Sequence, residues 1–281
     1  MIKVLLLVFL IGAPLFAKEK QGALVNEALA KAKQFMAQGQ RRQAVLELTR
    51  ASESTKSRKK LREIEGRKAL FSEQFFTSGA FQQYQEAKAL AELKRWDECL
   101  RELAAVPVSD QDNMLILKLK AESQLGLKQY DAAEKTISSI LVLLPDENSA
   151  QFGRVRILHE QSLFSEAMIV LQKIQARNSE ETERFAIAKA RILDAQKKTA
   201  EAVEVLRDDQ VANLDHIEVL YELGMLHRKL PGQAWQARKT LSLFVTRCKR
   251  MNDAELKKRG FDLLLPQAQT ALIEIDKQLG V

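Results

Sequence analysis

The sequence predicts an all-α fold built from a series of antiparallel helix pairs. Gly and Pro contribute only 11 and 5 of 281 residues, too few turn formers for a chain of many short strands. Hydrophobic residues at 46% and charged residues at 29% can build and solvate a core, which excludes disorder of the whole chain. A repeat of 34 to 35 residues then organises most of the sequence.

The first segment predicts export from the cytoplasm. Lys3 supplies one positive charge, Val4 to Phe16 is an uncharged run of 13 residues, and Ala17 offers a small residue for cleavage. This run is shorter than the roughly 17 to 25 apolar residues of a membrane-spanning helix. Residues 1–17 are therefore predicted to be a cleaved secretory signal peptide, with an uncleaved anchor as the alternative. Because no cysteine precedes Cys99, lipid attachment is not expected, and the mature chain is placed in the periplasm or outside the cell.

Charge and cysteine content limit the classes of partner. The net charge of +7 suits acidic partners, but export and the absence of a zinc-finger or ribonucleoprotein motif argue against nucleic acid. Two cysteines are too few for a disulfide framework. Cys99 is expected in the core, whereas Cys248, between Arg247 and Lys249, is a candidate for exposure and for an intermolecular bond.

Small residues at regular distances mark the contacts between paired helices. Each small residue of the second helices is followed four positions later by a larger apolar one: Cys99 with Leu103, Ala133 with Ile137, Ala167 with Leu171, Ala202 with Leu206, and Ala237 with Leu241. The first helices carry Ala87, Ala121, Val155, Ala190 and Gly224 12 or 13 positions earlier, and an earlier copy pairs Ala32 with Ala44. Two helices approach to about 8 Å only where side chains are small. Since one hairpin cannot bury its apolar face alone, successive hairpins must stack.

Two segments depart from the period. Residues 56–76 supply one additional helix, with Leu61, Ile64, Leu70, Phe71 and Phe75 at helical intervals. The stretch 253–281 is predicted to form a capping helix that is interrupted or restarted at Pro266. The residues of this helix expected to face the array are Ala268, Ala271, Leu272, Ile275 and Leu279. The predicted organisation is thus a signal peptide at 1–17, about six hairpins plus the additional helix at 18–252, and the cap at 253–281.

Two copies of the repeat carry a more specific pattern. One contains Leu220, Leu223, Gly224, Ala237 and Leu241, and the other contains Ala121, Tyr130, Ala133, Ile137 and Pro145. With the period, these residues make the chain resemble the tetratricopeptide repeat family over about residues 23–247. Cys99 in place of Ala, Thr199 in place of the aromatic, and a missing Leu-Gly pair at 148–181 depart from the pattern. The resemblance implies a right-handed superhelical solenoid and a noncatalytic scaffold that binds other proteins.

The resemblance also implies a ligand groove lined by the first helix of each pair. Among the matching positions seven are Lys or Arg and two are acidic: Lys33, Tyr84, Lys88, Lys118, Glu122, Phe152, Arg156, His159, Arg184, Arg191, Asp194, Tyr221 and Arg228. Arginine forks and flat aromatic rings suit carboxylates and extended peptides. An acidic segment or a carboxyl terminus of another protein is the predicted ligand, and a solvated basic face without a ligand is the alternative.

A second candidate surface lies in the additional helix. Its basic residues are Lys56, Arg58, Lys59, Lys60 and Arg62, and the aromatic residues Phe71, Phe75, Phe76, Phe81 and Tyr84 follow. The cluster could contact wall polymer or an anionic membrane surface, which is the alternative function. The aromatics could instead fill a junction between stacked blocks.

The sequence carries no motif for catalysis. It has no nucleophile elbow, phosphate loop, metalloprotease helix or dinucleotide fingerprint. His159, His216 and His227 are scattered through different repeats, so each is expected to have a surface or packing role. No metal, cofactor or small-molecule substrate is expected. The sequence predicts a noncatalytic adaptor in the cell envelope, in the periplasm of a Gram-negative bacterium.

Overall fold

The computed structural model describes residues 23–281, and within that range every regular element is a helix. α1 covers residues 23–37, and the others are α2 (Arg41–Ser54), α3 (Arg58–Glu73), α4 (Ser78–Glu92), α5 (Trp96–Ala105), α6 (Met114–Gly126), α7 (Tyr130–Leu143), α8 (Asn148–Glu160), α9 (Phe164–Leu171), α10 (Ser179–Ala195), α11 (Thr199–Ala212), α12 (Ile217–His227), α13 (Ala234–Cys248), α14 (Asp253–Arg259) and α15 (Phe261–Leu279). This confirms the predicted all-α class built from helix pairs. The predicted signal segment, 1–17, lies outside the described residues.

Each helix pair is joined by a turn that contains one residue in the left-handed conformation. These residues are Gly39, Lys94, Lys128, Ser162, Lys197 and Gly232, and the last five are separated by 34, 34, 35 and 35 positions. In the turn after α4, the N–H of Arg95 donates to the carbonyl of Leu90 at 2.9 Å. In the turn after α6, the N–H of Gln129 donates in the same way to the carbonyl of Gln124 at 2.8 Å. Such six-to-one bonds end a helix and reverse the chain.

The small residues predicted at the helix contacts are buried. Cys99, Ala133, Ala167, Ala202 and Ala237 are all 0% exposed. Their partners on the first helices, Ala87, Ala121, Val155, Ala190 and Gly224, are buried as well. The burial of both positions in each pair agrees with the close approach that the repeat predicts.

The fold divides into two compact units, with the boundary between Pro145 and Asp146. In the first unit α3 packs against α2 and α6, as expected of the additional helix. Ile64 and Phe71, two helical turns apart, are buried there, but Leu61 and Leu70 are 38% and 51% exposed. The buried face of α3 is thus narrower than the sequence suggests.

A buried arginine joins several segments of the first unit. Arg41 on α2 is 1% exposed, and its Nη2 donates to Asp110 Oδ1 at 2.6 Å and to the Gln74 carbonyl at 2.7 Å. Its guanidinium also bonds Asp112 and lies 4.3 Å from the Phe76 ring centre. One side chain therefore fixes α2 to the end of α3 and to the 3-10 turn Val108–Asp110.

In the second unit, α15 packs against α12 and α13. Ala268, Ala271 and Ile275 are buried as predicted, and Leu272 and Leu279 are partly buried. The helix restarts at Gly260, with φ of 73°, and continues through Pro266, so the predicted break at Pro266 was wrong. Glycine adopts this backbone conformation without a Cβ clash, which makes Gly260 the favoured point for the chain to turn.

Both cysteines are buried and neither forms a disulfide. Cys99 is in the core as predicted, but the suggested exposure of Cys248 was wrong because α13 turns it into the core of the second unit, at 0% exposure. Burial raises the pKa of the Cys248 thiol to about 11. No helix within residues 23–281 combines the length and the apolar character that a bilayer crossing requires.

Candidate functional site

The predicted groove residues lie on or directly after the first helix of each pair, as expected. In the first unit Lys33 and Lys88 are exposed, and Tyr84 is partly buried on α4. Lys118 on α6 approaches Glu73 at 3.7 Å. Burial raises the pKa of Tyr84, and the charges of Glu73 and Glu122 raise it further. Acidic side chains therefore lie beside two of these predicted residues, Tyr84 and Lys118.

In the second unit, five of the predicted residues line one cavity of about 380 Å³ between α8 and α10. They are Phe152, Arg156, His159, Arg184 and Arg191, and this space is called the α8–α10 cavity below. Side chains that are three or four positions apart share one face of a helix. Residues 152, 156 and 159 of α8 therefore line the cavity together with residues 184, 188 and 191 of α10. Val155, Ile187, Ala188 and Ile192 supply apolar lining.

Aromatic rings hold the basic side chains of the α8–α10 cavity in place. The Arg184 guanidinium lies 5.0 Å from the centre of the Phe152 ring, within range of a cation–π contact. The His159 ring lies 5.6 Å from that of Phe164 at the start of α9. Arg156 and Arg184 are exposed residues of the cavity lining.

Arg191 is already paired. Its Nη2 donates to Glu222 Oε1 at 2.6 Å and to Glu218 Oε1 at 3.2 Å on α12. Burial raises the pKa of Glu218, and the positive charge of Arg191 offsets part of that rise. For Arg191 itself, burial lowers the pKa but Glu222 and Glu218 outweigh it, so the net shift is upward. Arg191 is therefore engaged by α12, and the other two arginines of the cavity lining are Arg156 and Arg184.

Three further predicted residues lie outside the α8–α10 cavity lining. Asp194 accepts a hydrogen bond from Thr199 at 2.7 Å and pairs with Lys229. Burial raises the pKa of Asp194, but these bonds outweigh it and the net shift is downward. Tyr221 is buried and donates to Gln267 Oε1 at 2.8 Å, while Arg228 pairs with Glu274 on α15. These contacts stabilise the helix array.

The basic cluster occupies the start of α3. Lys56, Arg58, Lys59 and Arg62 are exposed, and Lys60 donates to Asn26 Oδ1 at 2.8 Å. The aromatics that follow are mostly packed inside the first unit: Phe71 is buried, Phe75 lies 5.5 Å from Tyr84 between ring centres, and Phe76 lies under Arg41. Phe81 is 48% exposed. This packing matches the junction interpretation of the aromatics.

The sequence pattern missed the acidic partners of the site. Glu218 and Glu222 lie on α12, 27 and 31 positions after Arg191, and no local spacing predicts that pairing. The position one repeat length after Arg191 lies on α12, so the period indicates the correct helix. It does not predict which residues of that helix contact Arg191. Within residues 23–281 no three His, Cys, Asp or Glu side chains are grouped as metal ligands would be.

Similarity to solved structures supports the fold. A tetratricopeptide repeat protein from Parabacteroides merdae ATCC 43184 superposes with a TM-score of 0.50 and 12% identity, over 91% of this chain and 98% of that chain. The MamA RS-1 ArsTM double mutant has a TM-score of 0.47 and 16% identity, over 64% of this chain and 99% of that chain. No family model and no curated protein matches the chain. The likeness to the Parabacteroides merdae protein supports a tetratricopeptide-like fold for this chain, and at 12% identity it extends to the fold alone.

Proposed function

We propose that the protein is a scaffold of the cell envelope that binds an acidic segment or a carboxyl terminus of a protein partner in the α8–α10 cavity. One observation carries the proposal. Arg156 and Arg184 from two different helices converge with His159 above an apolar lining. A site of this composition suits an extended peptide, whose carboxylate pairs with an arginine fork while its side chains cover the apolar residues.

The position of the α8–α10 cavity within the fold supports peptide binding. Its walls are two helices that pack together, since Val155 of α8 and Ile192 of α10 are buried in one apolar cluster. A preformed site orders fewer side chains when the ligand binds, and this lowers the entropic cost of binding. Phe152 further restricts Arg184 by the cation–π contact described above. The ligand is therefore expected to meet a guanidinium that is already oriented.

Binding to a synthetic peptide tests the proposal. We would compare the wild type with R156E/R184E, using fluorescent peptides of one acidic sequence with a free or an amidated carboxyl terminus. Each lost charge-assisted hydrogen bond contributes about 1.5–3 kcal/mol, so the double variant should bind at least about tenfold more weakly. Affinity should also fall as salt is added, since these groups are exposed.

A matched control separates the α8–α10 cavity from overall charge. K173E/R207E changes the net charge by the same amount, and both residues are exposed and outside the cavity lining. Wild-type affinity in the control supports the proposed site. Equal losses in the two double variants would show that peptide binding follows the general positive charge, and the site assignment would be wrong.

The proposed location follows from the amino-terminal segment. Cleavage after Ala17 would give a mature chain that begins at Lys18. Fractionation of cells followed by amino-terminal sequencing of the protein checks this. Recovery of uncleaved chain in the membrane fraction would instead support the anchor.

Contact with wall polymer or an anionic membrane surface is a second candidate function. It is favoured by four exposed basic residues at the start of α3, Lys56, Arg58, Lys59 and Arg62. Sedimentation with purified wall or with anionic vesicles, comparing the wild type with a variant in which these four are replaced by Gln, tests it. Salt-sensitive sedimentation that the variant loses supports this role, and equal sedimentation of the two proteins contradicts it.

A further inference from the structure

Three residues of the second unit form a hydrogen-bonded relay that the scaffold function does not use. Ser179 Oγ lies 2.9 Å from His216 Nε2, and His216 Nδ1 lies 2.7 Å from Asp209 Oδ2. His216 and Asp209 are 3% and 9% exposed, whereas Ser179 is exposed as the first residue of α10. The relay therefore runs from a buried carboxylate to a hydroxyl at the surface.

The hydrogen-bond partners define the tautomer of His216. Asp209 Oδ1 accepts from Asn213 Nδ2 at 3.1 Å, and Oδ2 faces His216 Nδ1. A carboxylate only accepts hydrogen bonds, so the imidazole proton is assigned to Nδ1 and Nε2 is left to accept from the Ser179 hydroxyl. A nucleophile, a base and a group that orients the base are thus present in the order that activates a serine.

A separate cavity of about 620 Å³ is lined by Ser179 and His216. Its wall has mixed charge, because Arg184, Lys258 and Arg259 line it together with five acidic residues, and Phe261 adds an apolar side chain; the acidic residues are Glu180, Glu183, Asp215, Glu218 and Glu255. The first N–H groups of a helix have no acceptor within that helix, and the amides of Ser179 and Glu180 occupy this position in α10. Donors of this kind stabilise the oxyanion that forms when a serine attacks a carbonyl.

We propose that Ser179 is the nucleophile of a hydrolytic activity toward small polar acyl esters, with His216 as its general base. Ser179 Oγ forms a bond to the acyl carbon while its proton passes to His216 Nε2, and the alcohol leaves with that proton. Water then attacks the acyl-serine, gives a proton to His216 and releases the acid, and the proton returns to Ser179 Oγ. The sum of the steps is ester plus water giving acid plus alcohol. Asp209 acts as a positioning residue, since it touches only the imidazole.

The proposal is tested with a fluorophosphonate probe and with p-nitrophenyl acetate on the full chain. The probe should label Ser179, as located by mass spectrometry, and S179A should lose both labelling and ester hydrolysis. S149A is the matched control, because Ser149 also lies at the start of a helix but donates to Glu147 rather than to a histidine. D209N keeps the shape of the side chain and should slow labelling by at least about a hundredfold.

Several results would overturn the assignment. Absence of label on Ser179, equal labelling of Ser149, or undiminished hydrolysis in S179A each excludes Ser179 as the nucleophile. A folded D209N, as judged by circular dichroism, that is labelled at the wild-type rate excludes the relay. If D209N does not fold, the S179A variant still tests the proposal, because Ser179 is exposed and its replacement leaves the core intact. Peptide binding in the α8–α10 cavity should be unchanged in S179A, so this activity and the scaffold function can fail independently.

Discussion

Replacement of Gly224 by alanine tests the close helix contact on which the array depends. An added Cβ would lie 2.6 Å from Leu241 Cγ, 2.7 Å from Cδ2 and 3.3 Å from the Leu241 backbone nitrogen. Leu241 is 0% exposed, so its side chain has no room to move outward. The substitution must therefore push α12 away from α13.

The size of the effect follows from two opposing contributions. Overpacking of a core costs about 1–3 kcal/mol, and the contact with both backbone and side chain favours the upper end. Alanine gains about 1 kcal/mol over glycine in a helix interior. The free energy of unfolding should accordingly fall by about 2 kcal/mol in G224A, the difference of these two magnitudes.

The same substitution at Gly66 provides the control. Gly66 lies inside α3, is exposed, and an added Cβ would meet nothing within 4 Å. G66A should therefore gain about 1 kcal/mol from helix propensity alone. Urea unfolding followed by far-ultraviolet circular dichroism compares the two variants, and the fluorescence of Trp235 reports on α13. If G224A were as stable as G66A, the predicted contact between α12 and α13 would be wrong.

Three other substitutions test a buried ion pair, a left-handed turn and a buried carboxyl. R41A leaves Asp110 buried without its cation, so the free energy of unfolding should fall by about 3–5 kcal/mol in urea unfolding. Lys128 has a left-handed backbone conformation, with φ of 58°, so K128G should raise the free energy of unfolding by about 1 kcal/mol, as checked by thermal unfolding. K120G, in the interior of α6, should lower it by about as much. Burial raises the pKa of Glu183, so the folded state holds its proton more tightly than the unfolded state does. Stability should then fall as the pH rises from about 4.3 through the folded pKa, and E183Q should flatten this part of a pH series of unfolding midpoints.

The contacts between paired helices could be predicted because they depend on residue size. A helix approaches its partner closely only where both side chains are small, so Ala133, Ala167 and Ala202 had to recur with the period of the repeat. In the structure all three alanines are 0% exposed. The additional helix could be predicted from its apolar spacing for the same reason, although only Ile64 and Phe71 of its predicted apolar face proved buried.

The turn conformation could not be predicted from residue type. Lys94, Lys128, Ser162 and Lys197 all adopt positive φ, which neither lysine nor serine favours. The strain is accepted because the turn satisfies the last carbonyl groups of one helix and sets the next in the antiparallel direction. The position of each residue in the repeat, rather than its chemistry, determines this conformation.

In the candidate site, too, the sequence predicted the positions of the basic residues but not their acidic partners. The period placed Arg156, Arg184 and Arg191 on the first helices, but it could not tell which would pair with a neighbouring helix. The lining of the α8–α10 cavity contains these three arginines and His159 together with two acidic residues, Glu160 and Glu218. On the wall of this cavity, Arg191 pairs with both Glu218 and Glu222 of α12. The pairing of Arg191 depends on the two acidic residues that the next first helix, α12, carries beside it. The repeat therefore predicted which helices carry the basic residues of the cavity, whereas only the structure shows which acidic residues lie beside them.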